Sequence, residues 1–177
     1  SMKRAVSISI GSSKRNKAVE VTLLGEKVSI ERIGTDGDME AAALKYKELD
    51  GTVDAFGVGG ADLGALIDGK FYPFHSVQPM VRFVQKTPLV DGGGLKNTLE
   101  NKAPAFLDKK IGDYIKQRGR KVFVTLGVDR WGLSKSFVEA GYEVVFGDLM
   151  FALGIPIPIR SMNGLRVLAK LMIPIVT

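Results

Sequence analysis

The sequence predicts an α/β protein in which a mixed-sheet N-terminal region precedes a strand–helix–strand unit. Three observations predict it. Val6, Ile8 and Ile10 alternate with Ser7 and Ser9, the period-two pattern of a strand with one buried face. Apolar positions then recur at helical spacing in two separate stretches, near residues 38–49 and 104–117. Finally, two β-rich runs, 121–126 and 142–146, bracket a helical stretch over 131–140. A chain of 177 residues with 45% hydrophobic and 25% charged residues has the composition of one domain or two small ones and can bury a core.

The elements follow in order. After the first strand, Gly11-Ser12-Ser13 turns the chain, and Val19–Leu23 and Val28–Arg32 read as a hairpin around Gly25-Glu26-Lys27. A helix over 38–49 places Met39, Ala42, Tyr46 and Leu49 on one stripe, with Gly51 where a left-handed residue ends it. Val53–Phe56 is the next strand and opens into Gly57-Val58-Gly59-Gly60. Ala65–Ile67 and Lys70–Tyr72 bracket Asp68-Gly69, a strong hairpin turn. Residues 78–85 form a short helix and Leu89-Val90 a short strand ending at Asp91-Gly92-Gly93-Gly94. In the helix 104–117, Leu107, Ile111, Tyr114 and Ile115 share a face, Pro104 suits the first turn and Gly119 ends it. Pro156 and Pro158 mark a linker, and a last helix starts near Ser161. These elements group as a mixed α/β domain over 1–119 and a second unit over 120–177.

Composition narrows the chemistry. No cysteine is present, which excludes disulfides, a thiol nucleophile and zinc–thiolate or iron–sulfur sites, and a single histidine cannot form a multi-histidine metal centre. No metal is assigned. The formal charge of +6 is uneven: residues 1–104 carry net +1 and residues 105–177 net +5. Lys109, Lys110, Lys116, Arg118, Arg120 and Lys121 form a basic stripe opposed locally by Asp113, suited to phosphates or to a solvated helix face. No RNP-like string supports specific nucleic-acid binding. No apolar run reaches membrane-spanning length and no secretory signal precedes the first strand, so the expected location is cytoplasmic and away from membranes. Ser1 before Met2 reads as a tag remnant. The apolar stretch Leu165–Val176 predicts either a chain that continues past Thr177 or a segment that packs on a partner, a homo-oligomer among them.

Two groups of residues suggest chemistry. Val122–Leu126 leads into Gly127, with Gly132 five residues later at the entrance of a helix. Such a turn allows close approach to a pyrophosphate, and the helix start offers amide donors. Asp148 stands 21 residues beyond Gly127, near the spacing at which a carboxylate accepts the ribose hydroxyls of NAD. Residues 121–149 thus resemble the dinucleotide-binding fingerprint of Rossmann dehydrogenases, so the second unit is expected to be the start of a Rossmann-like βαβ fold. The spacing is G-x-x-x-x-G, with Asp129 at the place of the middle glycine, Arg130 beside it as a counter-charge, and Trp131 either covering an adenine or packing the core.

The stretch Pro73-Phe74-His75-Ser76-Val77-Gln78-Pro79 resembles the substrate-binding His-Ser-x-Ser-Pro string of the quinate/shikimate 5-dehydrogenases, with Gln78 at the second serine. The resemblance extends loosely to Asn97, Thr98 and Lys102. It implies an NAD-linked oxidation of a ring alcohol such as quinate or shikimate, with His75 and Lys102 catalytic and Ser76, Asn97 and Thr98 on the substrate. Gly127, Arg130, Gly132 and Asp148 would hold the cofactor. Lys102, or alternatively Lys96, would shuttle a proton. A second reading rests on the order strand, hairpin pair, helix, strand over 5–58, which resembles the first half of an actin-like ATPase domain. Gly11-Ser12-Ser13 and Gly57–Gly60 would be its phosphate turns and Asp91–Gly94 a further anion nest, although Ser9 stands where that superfamily has a metal-proximal aspartate. That reading implies a non-catalytic nucleotide- or phosphate-binding module. A third is an interaction protein using the 109–121 stripe.

Overall fold

Alternation in the first strand fixes which face of the sheet is buried. In a computed structural model describing residues 1–177, β1 (Lys3–Ser9) buries Val6 and Ile8. The hairpin strands β2 (Lys17–Leu23) and β3 (Glu26–Gly34) follow, then helix α1 (Met39–Leu49) and β4 (Ala55–Gly59). A short hairpin, β5 (Gly64–Ile67) and β6 (Lys70–Pro73), precedes α2 (Gln78–Val81) and β7 (Leu89–Val90). The remaining elements are α3 (Gly93–Lys96), α4 (Ala103–Gln117), β8 (Lys121–Val124), α5 (Trp131–Glu139), β9 (Glu143–Phe146), α6 (Asp148–Leu153) and α7 (Met162–Val176). No helix is long and apolar enough to cross a membrane. The fold is mixed α/β. Two compact units result: Ser1–Gly64 with Pro73–Gly92, and Ala65–Tyr72 with Gly93–Thr177.

In the first unit a five-stranded mixed sheet runs in the order β2-β3-β1-β4-β7. β3, β4 and β7 extend it in parallel with β1, and β2 pairs antiparallel at the edge. A simple meander would set the first hairpin strand against β1. Here the second hairpin strand takes that place, in the register Ser9↔Gly34, while β4 lies on the other side with Ser9↔Gly59. The hairpin turns through Leu24-Gly25, both at positive φ, one residue earlier than the expected Gly25-Glu26-Lys27. Asp38 caps α1 by accepting from the Ala41 amide, and Gly51 adopts φ +81° beyond its end. Ala42 and Tyr46 pack on Val6, Ile8 and Phe56. The Tyr46 hydroxyl shares its one proton between the carbonyls of Gly57 at 2.8 Å and Ile8 at 3.2 Å, its ring meets Phe56 edge-on at 5.0 Å, and burial pushes its phenol pKa up.

The second unit holds a two-stranded parallel sheet, β8 and β9, connected by α5. Val124, Val144 and Phe146 face a core shared with Trp131, Phe137, Leu165 and Ala169, and with Ile67 of the β5–β6 hairpin. That hairpin turns through Asp68 and Gly69 at positive φ, the geometry expected of the pair. The expected boundary at 119/120 is corrected to Gly92/Gly93, because Leu107 and Ile115 of α4 pack into the second core. The expected helix over 78–85 is shorter, and a helix the sequence did not suggest, α6, precedes the linker that holds Pro156 and Pro158. Ser161 caps α7 by accepting from the Gly164 amide, as its position suggested.

Candidate functional site

The chain leaves β1 for the hairpin on one side of the sheet, then returns across it through α1 to β4 and β7 on the other. The reversal lies between β1 and β4, and ligands of open α/β sheets bind outside the carboxyl ends of strands at such a point. Three strands end side by side there, at Ser9, Gly34 and Gly59. The two glycines are required by close packing. A Cβ on Gly59 would stand 2.6 Å from that of Ser9, and one on Gly34 would stand 2.5 Å from the Ser12 carbonyl oxygen. The turn after β1 therefore folds back over the end of β3.

Hydrogen bonds secure this turn. The Gly11 amide donates to the buried Ser9 Oγ, Ser13 N to Asp36 Oδ1, and Lys14 N to Ser12 Oγ. Arg15 N donates to the Ser12 carbonyl, and Asn16 Oδ1 accepts from Gly34 N. The turn is thus not the open backbone nest the sequence suggested, since the amides of Gly11, Ser13, Lys14 and Arg15 are already engaged. What it presents is guanidinium. Arg32 donates to the Ser12 carbonyl at 2.9 Å and to Ser9 Oγ at 3.2 Å. Its Nη2 lies 3.0 Å, and Arg15 Nη2 3.8 Å, from where a Gly11 Cβ would stand. Neither arginine forms an ion pair with a carboxylate. Asp36 lies against Ser13, whose hydroxyl and then amide hold its carboxyl below the usual carboxylate range. Two cationic forks therefore converge on one small turn at the reversal of the sheet. The signal for this in the sequence was Arg32 at the end of a strand that runs parallel to β1, which only the pairing reveals.

The cofactor residues expected in the second unit take other roles. Asp148 is 4% exposed, and its two carboxylate oxygens accept from Gly127 N at 2.8 Å and Val128 N at 2.9 Å. It staples the turn, with both oxygens engaged by backbone amides. Gly127 is buried, and a Cβ there would stand 2.6 Å from the Phe146 ring, so its lack of a side chain serves core packing. Gly132 abuts Asn101, whose Oδ1 leaves no room for a Cβ; that oxygen is buried without a hydrogen-bond partner. Trp131 is 5% exposed, packs in the core and donates to Asp68, which also binds Arg166. Arg130 pairs with Glu100, and Lys96 with Asp129 at 3.1 Å. The place proposed for a pyrophosphate is thus occupied by the protein's own side chains.

The residues of the dehydrogenase-like string divide between the units. His75 and Ser76 are exposed on a 3-10 turn of the first. Asn97, Thr98 and Lys102 belong to the second, where Asn97 and Thr98 bond back to the carbonyls of Gly93 and Gly94 and Lys102 is exposed. On α4, Lys109, Lys110 and Lys116 are exposed without ion pairs, Arg118 lies 3.6 Å above the Tyr114 ring, and Arg120 binds Asp108. No group of three or more His, Asp or Glu side chains is placed to hold a metal ion.

Two family models match the chain, each described as a domain of unknown function: DUF8753 over residues 4–91 and DUF8754 over residues 94–177. No curated protein and no solved structure matches. The matched ranges meet at Gly92/Gly93, where the structure divides, except that hairpin residues 65–72 lie in the first range and pack in the second unit.

Proposed function

We propose that the first unit is a non-catalytic binding module for a small phosphate-bearing ligand, a nucleotide or a phosphorylated metabolite. The observation that carries this is the convergence of Arg15 and Arg32 on the Gly11 turn at the reversal point of the sheet. A guanidinium matches two phosphate oxygens at once and stays charged at every physiological pH. Arg32 is held in place by its bonds to Ser12 and Ser9, so little ordering is needed on binding, while the exposed Arg15 supplies the second arm. Ser12 stands exposed beside them and offers a hydroxyl.

The NAD-dependent dehydrogenase reading has less support. A Rossmann-like character for β8, α5 and β9 rests on their parallel connection, while Asp148 and Gly127 serve the protein's own packing. Calorimetric titration with inorganic phosphate, ATP and NAD separates the readings. Phosphate and ATP are expected to bind, and Arg15→Glu to weaken both at least about tenfold, a change of about 1.4 kcal/mol. Arg32→Lys keeps the charge but removes the fork, and is expected to weaken them less. Binding of NAD alone, or phosphate affinity unchanged in both variants, would reject the proposal.

A further inference from the structure

Parallel strands are ordinarily covered on both faces, because their connections place helices there. The β8–β9 pair is covered on one face only. Val124, Val144 and Phe146 point into the core, and the opposite face carries Lys121 and Phe123 from β8 beside Glu143 and Val145 from β9. Phe123 is 49% exposed. An open groove of about 320 Å³ runs between these side chains. Phe151 of α6, 63% exposed, lengthens the apolar strip by meeting Phe123 edge-on with ring centroids 6.0 Å apart. A Cβ on Gly147 would stand 2.6 Å from the Phe123 ring, so the glycine lets this ring settle across the strand end.

We infer that this face is a dimer interface, and that its occupant is the same face of a second copy of the chain. Lys121 is the register partner of Glu143, and Phe123 of Val145. A two-fold axis parallel to the strands, midway between β8 and β9, turns one sheet over onto the other and sets β8 above the partner's β9 with strand directions unchanged. Lys121 then lies over the glutamate equivalent to Glu143, and Phe123 over the valine equivalent to Val145. Each contact occurs twice, as a two-fold interface requires. Opposite charges meet, a large ring faces a small branched side chain, and two sheets packed about 10 Å apart exclude water from the strip between them. Arg160, 4.0 Å from Glu143, adds a second cation at the rim. A like-charged register pair would repel its own copy under the same symmetry.

Sedimentation equilibrium of the whole chain tests the inference, with charge reversal as the specific probe. The unaltered chain is expected to be a dimer at concentrations of about 0.1 mM or below. Lys121→Glu alone and Glu143→Lys alone each place like charges face to face twice per dimer and are expected to weaken association at least about tenfold. The double variant Lys121→Glu/Glu143→Lys exchanges the charges and is expected to return to within about threefold of the unaltered chain. Circular dichroism of each variant verifies that it is folded. A monomer throughout this range would overturn the inference and assign the face to a different partner. A dimer indifferent to both reversals would overturn it as well, placing self-association elsewhere, and so would a double variant no better than the singles.

Discussion

The first unit carries eleven basic and eleven acidic side chains, whereas the second carries fourteen and eight and holds the whole net charge of +6. The difference extends to the sheets. Five strands in the first unit give a broad carboxyl edge with a reversal point; the two-stranded parallel sheet of the second gives neither a reversal nor a covered outer face. Large apolar side chains such as Phe106, Phe123, Phe151, Leu171 and Ile175 stand exposed in the second. Strong overall charge and glycine-bounded helices do not coincide with the proposed anion site. The neutral unit has the two arginines that its own carboxylates leave unpaired, while Gly127 and Gly132 of the basic unit are closely packed.

The sharpest way to break this comparison is Asp148→Asn. The carboxylate accepts two buried amides, and an asparagine presents one acceptor and a clashing donor. A loss of about 2–4 kcal/mol is expected, confined to the second unit. Hydrogen exchange resolves it, with protection falling at Gly127 and Val128 and retained in β1 and β4. Unchanged protection would free this carboxylate for a ligand and restore the second unit as the candidate site.

Gly59→Ala is the counterpart in the first unit. Its methyl group would meet Ser9 Cβ at 2.6 Å, and since both belong to adjacent strands neither yields cheaply. A cost of about 1–3 kcal/mol in urea denaturation is expected, with weakened phosphate binding because the Ser9 end carries Arg32. Wild-type stability would mean that the strand ends are looser than described. Tyr46→Phe should cost about 1 kcal/mol, since its hydroxyl links two strand carbonyls. No measurable loss would show those carbonyls to be satisfied without it.

The smallest expected effect is one of pH. Asp108 is held below the usual carboxylate range first by its hydrogen bond from Arg120 and next by that from Tyr142, and Asp68 chiefly by Arg166. With folded values below unfolded ones, their stabilisation is complete above the unfolded value of about 3.9 and is lost as pH falls through the folded values. The thermal midpoint of the second unit should therefore decline below about pH 4, less steeply in Asp108→Asn. Parallel declines in the two proteins would remove Asp108 from the account.

Local elements were legible because local chemistry sets them. Asp38 and Ser161 at helix starts, Gly51 beyond a helix end and Asp68-Gly69 in a hairpin all stand where their conformational preferences indicate. Pairing was less legible. Which hairpin strand lies against β1 depends on contacts between distant residues, and the position of Arg32 beside Gly11 follows from it. The spacing of Gly127 and Asp148 indicates proximity but not chemistry. Parallel strands of equal length end side by side, so a carboxylate after β9 reaches the turn after β8, and spacing alone does not distinguish a ribose acceptor from a staple.

The central claim, that the anion site lies at the Gly11 turn and not at the Gly127 turn, is tested most directly by mapping amide chemical shifts during titration with inorganic phosphate and then ATP. Saturable changes are expected at Gly11–Arg15, Arg32 and Gly59–Asp62, abolished by Arg15→Glu. Changes concentrated at residues 127–132, with the Gly11 turn silent, would contradict it.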